Sequence, residues 1–247
     1  MTDQNLRNRV VETAKLVLRL GMARADVSIG RDPYVGRLVR AAQHVGVDTI
    51  LDVGANVGQF ARMVRSAGFE GDMISFEPLQ TAHKILARRA GHDPRWQTFN
   101  VAVGAEKGTA QINVSANSFS SSLLPMTETH LRAAPESRVI GSQQVEVTTV
   151  ADIVTELGLK RDKTLLKIDT QGFEEQVLAG AGDLLNEFAA VQLELSFVEL
   201  YEGQALFDEG VSRMRDCGLR LWTLETGISD QHGQLLQCDG LFLRTAG

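Results

Sequence analysis

"TILDVGANVGQF", residues 49–60, carries a short apolar run straight into a turn holding Gly54 and Gly58, with Asp52 before them and Asn56 between. Glycine is entropically costly at the end of a buried strand. Its presence means that the turn bends sharply or that something must approach its backbone more closely than a Cβ allows. The helix expected at 57–67, ended by Gly68, aims its free N–H groups at the same place.

Outward from this stretch the rhythm repeats. "DMISFEP" reads as a strand followed by a helix at 79–90, and "WQTFNVAVG" as a third strand. "KTLLKIDTQG" is a strand followed by a helix at 173–186; "AAVQLELSF" is a strand followed by a helix at 204–217. "RLWTLE" and "CDGLFLR" form a hairpin across the loop at 226–236. Apolar runs that feed glycine-punctuated turns, with helices between, predict an α/β fold: a mostly parallel sheet covered on both faces, with one antiparallel strand at or near its edge. Upstream, Leu6, Val10, Val11, Ala14, Val17 and Leu18 predict an amphipathic helix over 5–21. Asp32-Pro33 opens a second, with Val35, Leu38, Val39, Ala42 and Val45 on one face. The expected organisation is an N-terminal helical segment, 1–48, packed on a single domain, 49–247. The insertion at 104–150 holds two half-exposed strands, "GTAQINVSA" and "QQVEVTTV", around a long polar segment of the kind that forms lids and binding loops.

Composition narrows the class. The 247 residues are 43% hydrophobic and 23% charged, ordinary for a globular protein, and the formal net charge of −6 argues against nucleic acid as partner. Cys217 and Cys238 have neither disulfide nor zinc spacing. Charged residues punctuate the N-terminus and no run has the roughly 20 apolar residues of a membrane span, so the expectation is a cytoplasmic enzyme.

Ligands of doubly wound sheets bind outside the carboxyl ends of the strands. A dinucleotide site wants a glycine where Asn56 stands, because its backbone must cradle a pyrophosphate. The loop therefore suits a nucleoside ligand without phosphates, such as S-adenosylmethionine (SAM). Glu77 ends the next strand, 19 residues after Gly58, where a carboxylate can accept both ribose hydroxyls. Pro78 stops that strand, while Asn100 and Val101 end the third and offer a wall for a base. The expected cofactor set is Asp52, Gly54, Asn56, Gly58, Phe60, Glu77, Pro78, Asn100, Val101 and Asp169.

"DVGANVGQF", "FEP", "NVAVG", "SFSSSLLP", "LLKIDTQGFEEQVLAGA" and "DGLFLR", in this order, resemble the FkbM family of SAM-dependent methyltransferases, from about Thr49 to Arg244. The resemblance implies a class I methyltransferase fold of seven strands, one antiparallel, with SAM as methyl donor. It also implies O-methylation, often of a sugar hydroxyl in a glycolipid, polysaccharide or natural product. One position departs: where many members carry Asp-x-Glu-Gly, this chain has Asp169-Thr170-Gln171-Gly172.

Methyl transfer from a sulfonium depends mostly on alignment, helped by a base for the acceptor hydroxyl. Asp169, at a strand's carboxyl end, is the first candidate base, and Lys167 shares its face two residues earlier. His130 in the insertion and Glu194 on the next strand are further candidates. Ser120, Ser121, Ser122 and Gln171 are expected on the acceptor, a small molecule or glycan. His83, His92 and Glu199 read as surface residues. No spacing demands a metal. A homo-oligomer is compatible with all of this. The competing functions are an NAD(P)-dependent oxidoreductase, favoured by Glu77, and a non-catalytic SAM- or glycan-binding module.

Overall fold

The computed structural model describes residues 33–244; the helix expected at 5–21 lies outside them. α1 (Pro33–His44) buries Val35, Leu38, Val39 and Ala42 against the sheet, as its periodicity requires. From there the chain alternates: β1 (Thr49–Val53), α2 (Gln59–Ser66), β2 (Asp72–Phe76), α3 (Gln80–Ala90) and β3 (Trp96–Phe99). The insertion contributes β4 (Ala102–Val103), β5 (Gly108–Ser115), α4 (Glu128–Ala133) and β6 (Val139–Thr148). α5 (Val150–Leu157), β7 (Thr164–Ile168), α6 (Glu174–Ala181), β8 (Ala190–Ser196), α7 (Phe207–Asp216), β9 (Leu219–Thr226) and β10 (Gln237–Arg244) complete it.

Seven strands form one sheet in the order β3-β2-β1-β7-β8-β10-β9. Only β10 runs against the rest, pairing antiparallel with both β8 and β9. It lies one place in from the edge, as the closing hairpin predicts. β1 and β7 are buried along their whole length, which explains their unbroken apolar runs. α1, α2 and α3 cover one face around Leu38, Ile50, Val64 and Leu165; α5, α6 and α7 cover the other around Leu166, Val177, Val191 and Met214.

Three expectations change. "WQTFNVAVG" is not one strand: it breaks at Asn100, whose amide donates to the carbonyls of Glu77 (2.8 Å) and Pro78 (2.9 Å). Beyond that break β4 leaves for a second sheet, β4-β6-β5, where β5 and β6 pair antiparallel. The insertion is therefore a folded sheet whose Ile112 and Val145 pack on Leu79 and Ala82 at the start of α3. The helix expected at 173–186 stops at Ala181 and continues as a 3-10 turn over Gly182–Glu187. α5 is an additional helix; its signals are local, since Thr149 caps it by accepting from the Asp152 N–H (3.1 Å) and Gly158 ends it at φ 61°.

Candidate active site

Turns at the carboxyl ends of β1, β2, β3 and β7 surround a cavity of about 290 Å³. The turn after β1 takes three left-handed residues, Gly54 (φ 78°), Asn56 (φ 48°) and Gly58 (φ 86°). A Cβ on Gly54 would lie 1.8 Å from the Asp169 carbonyl oxygen, so this glycine lets the turn press against the end of β7. A Cβ on Gly58 would strike the Trp96 and Leu86 side chains. Gly54 lines the cavity and Gly58 does not. Both glycines serve close packing of the loop on the fold, Gly58 against β3 and α3.

Asp52 is likewise displaced from its expected role. It is fully buried, accepts from Ser75 Oγ (3.0 Å), and forms an ion pair with Lys167 Nζ (3.0 Å). Ser75 Oγ in turn accepts from the Trp96 indole (3.0 Å). Asp52 therefore anchors a buried chain beneath the cavity. Lys167 Nζ donates to the Gly54 carbonyl (3.1 Å), forms ion pairs with Asp52 and with Asp169 (3.4 Å), and holds its charge 5.5 Å from the Phe60 ring. Phe60, Lys167 and Asp169 all line the cavity.

Glu77 faces the same space from the end of β2. Its two carboxylate oxygens accept from the Asn56 N–H (2.9 Å) and the Leu79 N–H (2.8 Å). Burial pushes its pKa up to about 7, against the pull of those two amides. A carboxylate has about four acceptor sites, so two remain for a ligand. Phe76, Val101, Ala102, Ile112, Leu123 and Phe173 supply apolar walls beside it. That set of acceptors and walls fits a nucleoside: acceptors for vicinal hydroxyls, flat apolar flanks for a base. Asn56 and Pro78 line the cavity; Asn100 does not, because its side chain is used to tie two turns together.

At the end of β7 the backbone turns through Gln171 at φ 58°. The Gln171 amide nitrogen donates to Asp169 Oδ1 (2.9 Å) and to both oxygens of Glu194 (2.9 Å each). Its Oε1 lies 3.0 Å from the Tyr201 hydroxyl, whose proton also faces the Ser120 carbonyl at 3.1 Å. Glu174 Oε1 accepts from Thr170 N, Thr170 Oγ1 and Gly172 N, which fixes the turn. Burial first, then the charges of Asp169, Glu174 and Asp239, raise the Glu194 pKa well above the ordinary carboxylate range. Asp169, with a side chain 36% exposed, opens onto the cavity; Glu194 lies behind it and does not. Among the described residues no group of three or more His, Cys, Asp or Glu is arranged to hold a metal ion.

The serine segment divides. Ser121 and Ser122 line the cavity, but Ser121 Oγ accepts from Ser115 N (3.0 Å) and Ser122 Oγ donates to the Gln171 carbonyl (2.6 Å). Ser120 turns away to Ser137 Oγ (2.9 Å). His130 is 1% exposed, packs edge-to-face on Tyr201 at 5.1 Å, and lies outside the cavity; burial lowers its pKa. It packs within the insertion, on α4, against Tyr201. His83 is half-buried on α3, while His92 and Glu199 are exposed. Sequence reasoning passes over Tyr201, Gln192, Asp239 and Glu225. Only the register of the terminal hairpin brings the last two to the cavity.

A seven-stranded sheet with one reversed strand, a glycine turn after the first strand and a carboxylate ending the second is the plan of the class I, Rossmann-like methyltransferases. The chain belongs to the methyltransferase FkbM domain family, whose profile matches residues 52–221. Membership implies SAM as methyl donor and sets aside the oxidoreductase alternative. The chain is 29% identical over 161 residues to the 2-O-methyltransferase NoeI of Sinorhizobium fredii, an alignment spanning 63% of this chain and 66% of that protein. Solved structures of similar fold include magnesium protoporphyrin IX methyltransferase from Synechocystis with bound SAM (TM-score 0.47, 10% identity, 86% of this chain and 77% of that one). The 1,6-didemethyltoxoflavin-N1-methyltransferase of Burkholderia thailandensis is another (TM-score 0.44, 10% identity, 100% and 92%). Among the described residues no helix is long and apolar enough to cross a membrane.

Proposed function

We propose that this chain transfers the methyl group of SAM to a hydroxyl of a sugar. The observation that carries the reading is the placement of Asp169. Its carboxylate opens onto the cavity one strand from the glycine turn, steadied by Lys167 on one side and the Gln171 amide on the other.

SAM, when bound, supplies an electrophilic methyl whose leaving group needs no activation. Glu77 accepts hydrogen bonds from the ribose hydroxyls, and the Val101, Ala102 and Phe173 walls exclude water around the base. Asp169 accepts the proton of the acceptor hydroxyl as its oxygen becomes nucleophilic. Lys167 on one side and the Gln171 amide on the other fix the orientation of that carboxylate. Glu194, charge-burdened and held off the cavity by Gln171, is a positioning residue. A sugar acceptor fits the polar floor and partly apolar walls, and the O-methyltransferase among the relatives adds support.

The test has two stages. Calorimetry should show saturable binding of S-adenosylhomocysteine (SAH), and methyl-labelled SAM should label a sugar acceptor in the wild type. Asp169→Ala should keep SAH affinity within about threefold and lose about 100-fold or more of turnover, the usual worth of a positioned base. Undiminished turnover in Asp169→Ala would exclude it as the base. Binding of SAH with no transfer to any acceptor would favour a non-catalytic binding module.

A further inference from the structure

Parallel register places carboxylates in a row along one face of the sheet. β1 pairs Val53 with Phe76 and with Ile168, so the next residues, Glu77, Gly54 and Asp169, stand abreast. β7 pairs Ile168 with Leu193, which sets Asp169 beside Glu194; Glu194 pairs with Asp239, and Asp239 with Glu225. At about 4.8 Å per strand the row extends roughly 24 Å from Glu77 to Glu225. Glu77, Asp169, Asp239 and Glu225 line the cavity. The proposed cofactor position takes the Glu77–Gly54–Asp169 half, so the β10 and β9 end is left to the acceptor.

Among the described residues that end offers few donors beyond the Tyr34 hydroxyl. Lys167 is committed to Asp52, Gly54 and Asp169, and Arg37 stands 3.5 Å from Glu225. Gln192, 4% exposed and lining the cavity, lies beside Asp239. Among the described residues, Gln192 Oε1 is buried with no hydrogen-bond partner. Burial and the neighbouring charge of Asp169 also raise the Asp239 pKa, against the pull of Lys167. Acceptors without donors are costly to bury, so a complementary ligand brings N–H groups and positive charge. A phosphorylated or carboxylated sugar would be repelled.

Resting on the methyltransferase reading, we infer that the acceptor is an amino sugar whose ammonium seats on Asp239 beside Gln192 while a hydroxyl of the same ring faces Asp169. Asp169 and Asp239 are two strands apart, about 10 Å at the usual spacing. A hydrogen bond of roughly 2.8 Å at each end leaves about 4 to 5 Å between amine and hydroxyl, which is the reach across one pyranose ring.

SAH binding is measured first; its failure counts against the methyltransferase reading and is scored separately. SAH-loaded protein is then titrated with glucose bearing one amino group at the second, third, fourth or sixth carbon, each alongside its N-acetyl form. At least one free amine should bind roughly tenfold or more tightly than its N-acetyl counterpart, the worth of one charge-assisted hydrogen bond. Asp239→Asn should bring that pair within about twofold while leaving SAH affinity unchanged. If Asp239→Asn does not fold, Glu225→Gln is the substitute and should halve the preference or more. The inference is overturned if no sugar binds SAH-loaded protein, if the N-acetyl form binds as well in every pair, or if the preference survives the folded variant.

Discussion

Replacing Lys167 by methionine tests the buried chain beneath the cavity. The Lys167 and Asp52 side chains are 4% and 0% exposed and 3.0 Å apart, so Lys167→Met would leave Asp52 with only the Ser75 hydroxyl as donor. Breaking a buried pair from one side costs about 3–5 kcal/mol, because an uncompensated charge stays in the interior. The Phe60 contact at 5.5 Å adds at most about 2 kcal/mol and is partly replaced by methionine packing on the ring. Taking about 4 kcal/mol and a urea slope of about 3 kcal/mol/M, the unfolding midpoint should fall by roughly 1.3 M. The loss is a large part of the roughly 5–15 kcal/mol typical of a whole domain. The double substitution Asp52→Asn with Lys167→Met removes the orphaned charge and should recover about half of the loss or more. Urea unfolding followed by circular dichroism at pH 7 reads both. A midpoint shift below about 0.3 M, or a double variant no more stable than the single one, would show that the pair does not hold this floor together.

Glu77 carries a pH signature. Its pKa in the fold is about 7 against an ordinary 4.5, so the folded state holds the proton more tightly and stability falls as pH rises from 4.5 to 7. Glu77→Gln should flatten this by up to about 1.4 kcal/mol per pH unit, measured as the difference between the two unfolding curves. In calorimetry SAH affinity should rise with pH through about 7 in the wild type and not in Glu77→Gln. Gly54→Ala should lower the melting temperature more than Gly58→Ala, since the first Cβ meets backbone at 1.8 Å and the second meets side chains that can shift. Equal losses would mean the turn after β1 moves freely. Tyr201→Phe removes the hydroxyl facing Gln171 and Ser120 and should cost about 1 kcal/mol of stability. Methyl transfer should slow about tenfold with SAH affinity unchanged, read as kcat against cofactor Kd.

The alternation of apolar runs and glycine turns is a local property, so the strand–helix rhythm of the main sheet, its covered parallel core and the reversed strand near its edge could be read from the chain, whereas the second sheet and α5 could not. The same holds for Glu77 and Asp169: each ends a strand beside a turn, and strand ends in such a sheet converge on one rim. The purpose of the glycines was not legible. Gly54 is excluded from bearing a side chain by a carbonyl 115 residues later, and Gly58 by Trp96 and Leu86. Asp52 and His130 looked like site residues by type, yet burial against partners far along the chain made them structural. Conversely, Asp239 and Glu225 carry no local mark of a site; they reach the cavity because antiparallel pairing of β10 with β8 and β9 sets them abreast of Asp169. Tertiary structure decided these roles because a side chain's chemistry is set by what surrounds it, and those surroundings come from strands that are distant in sequence and about 4.8 Å apart in space, one sheet spacing.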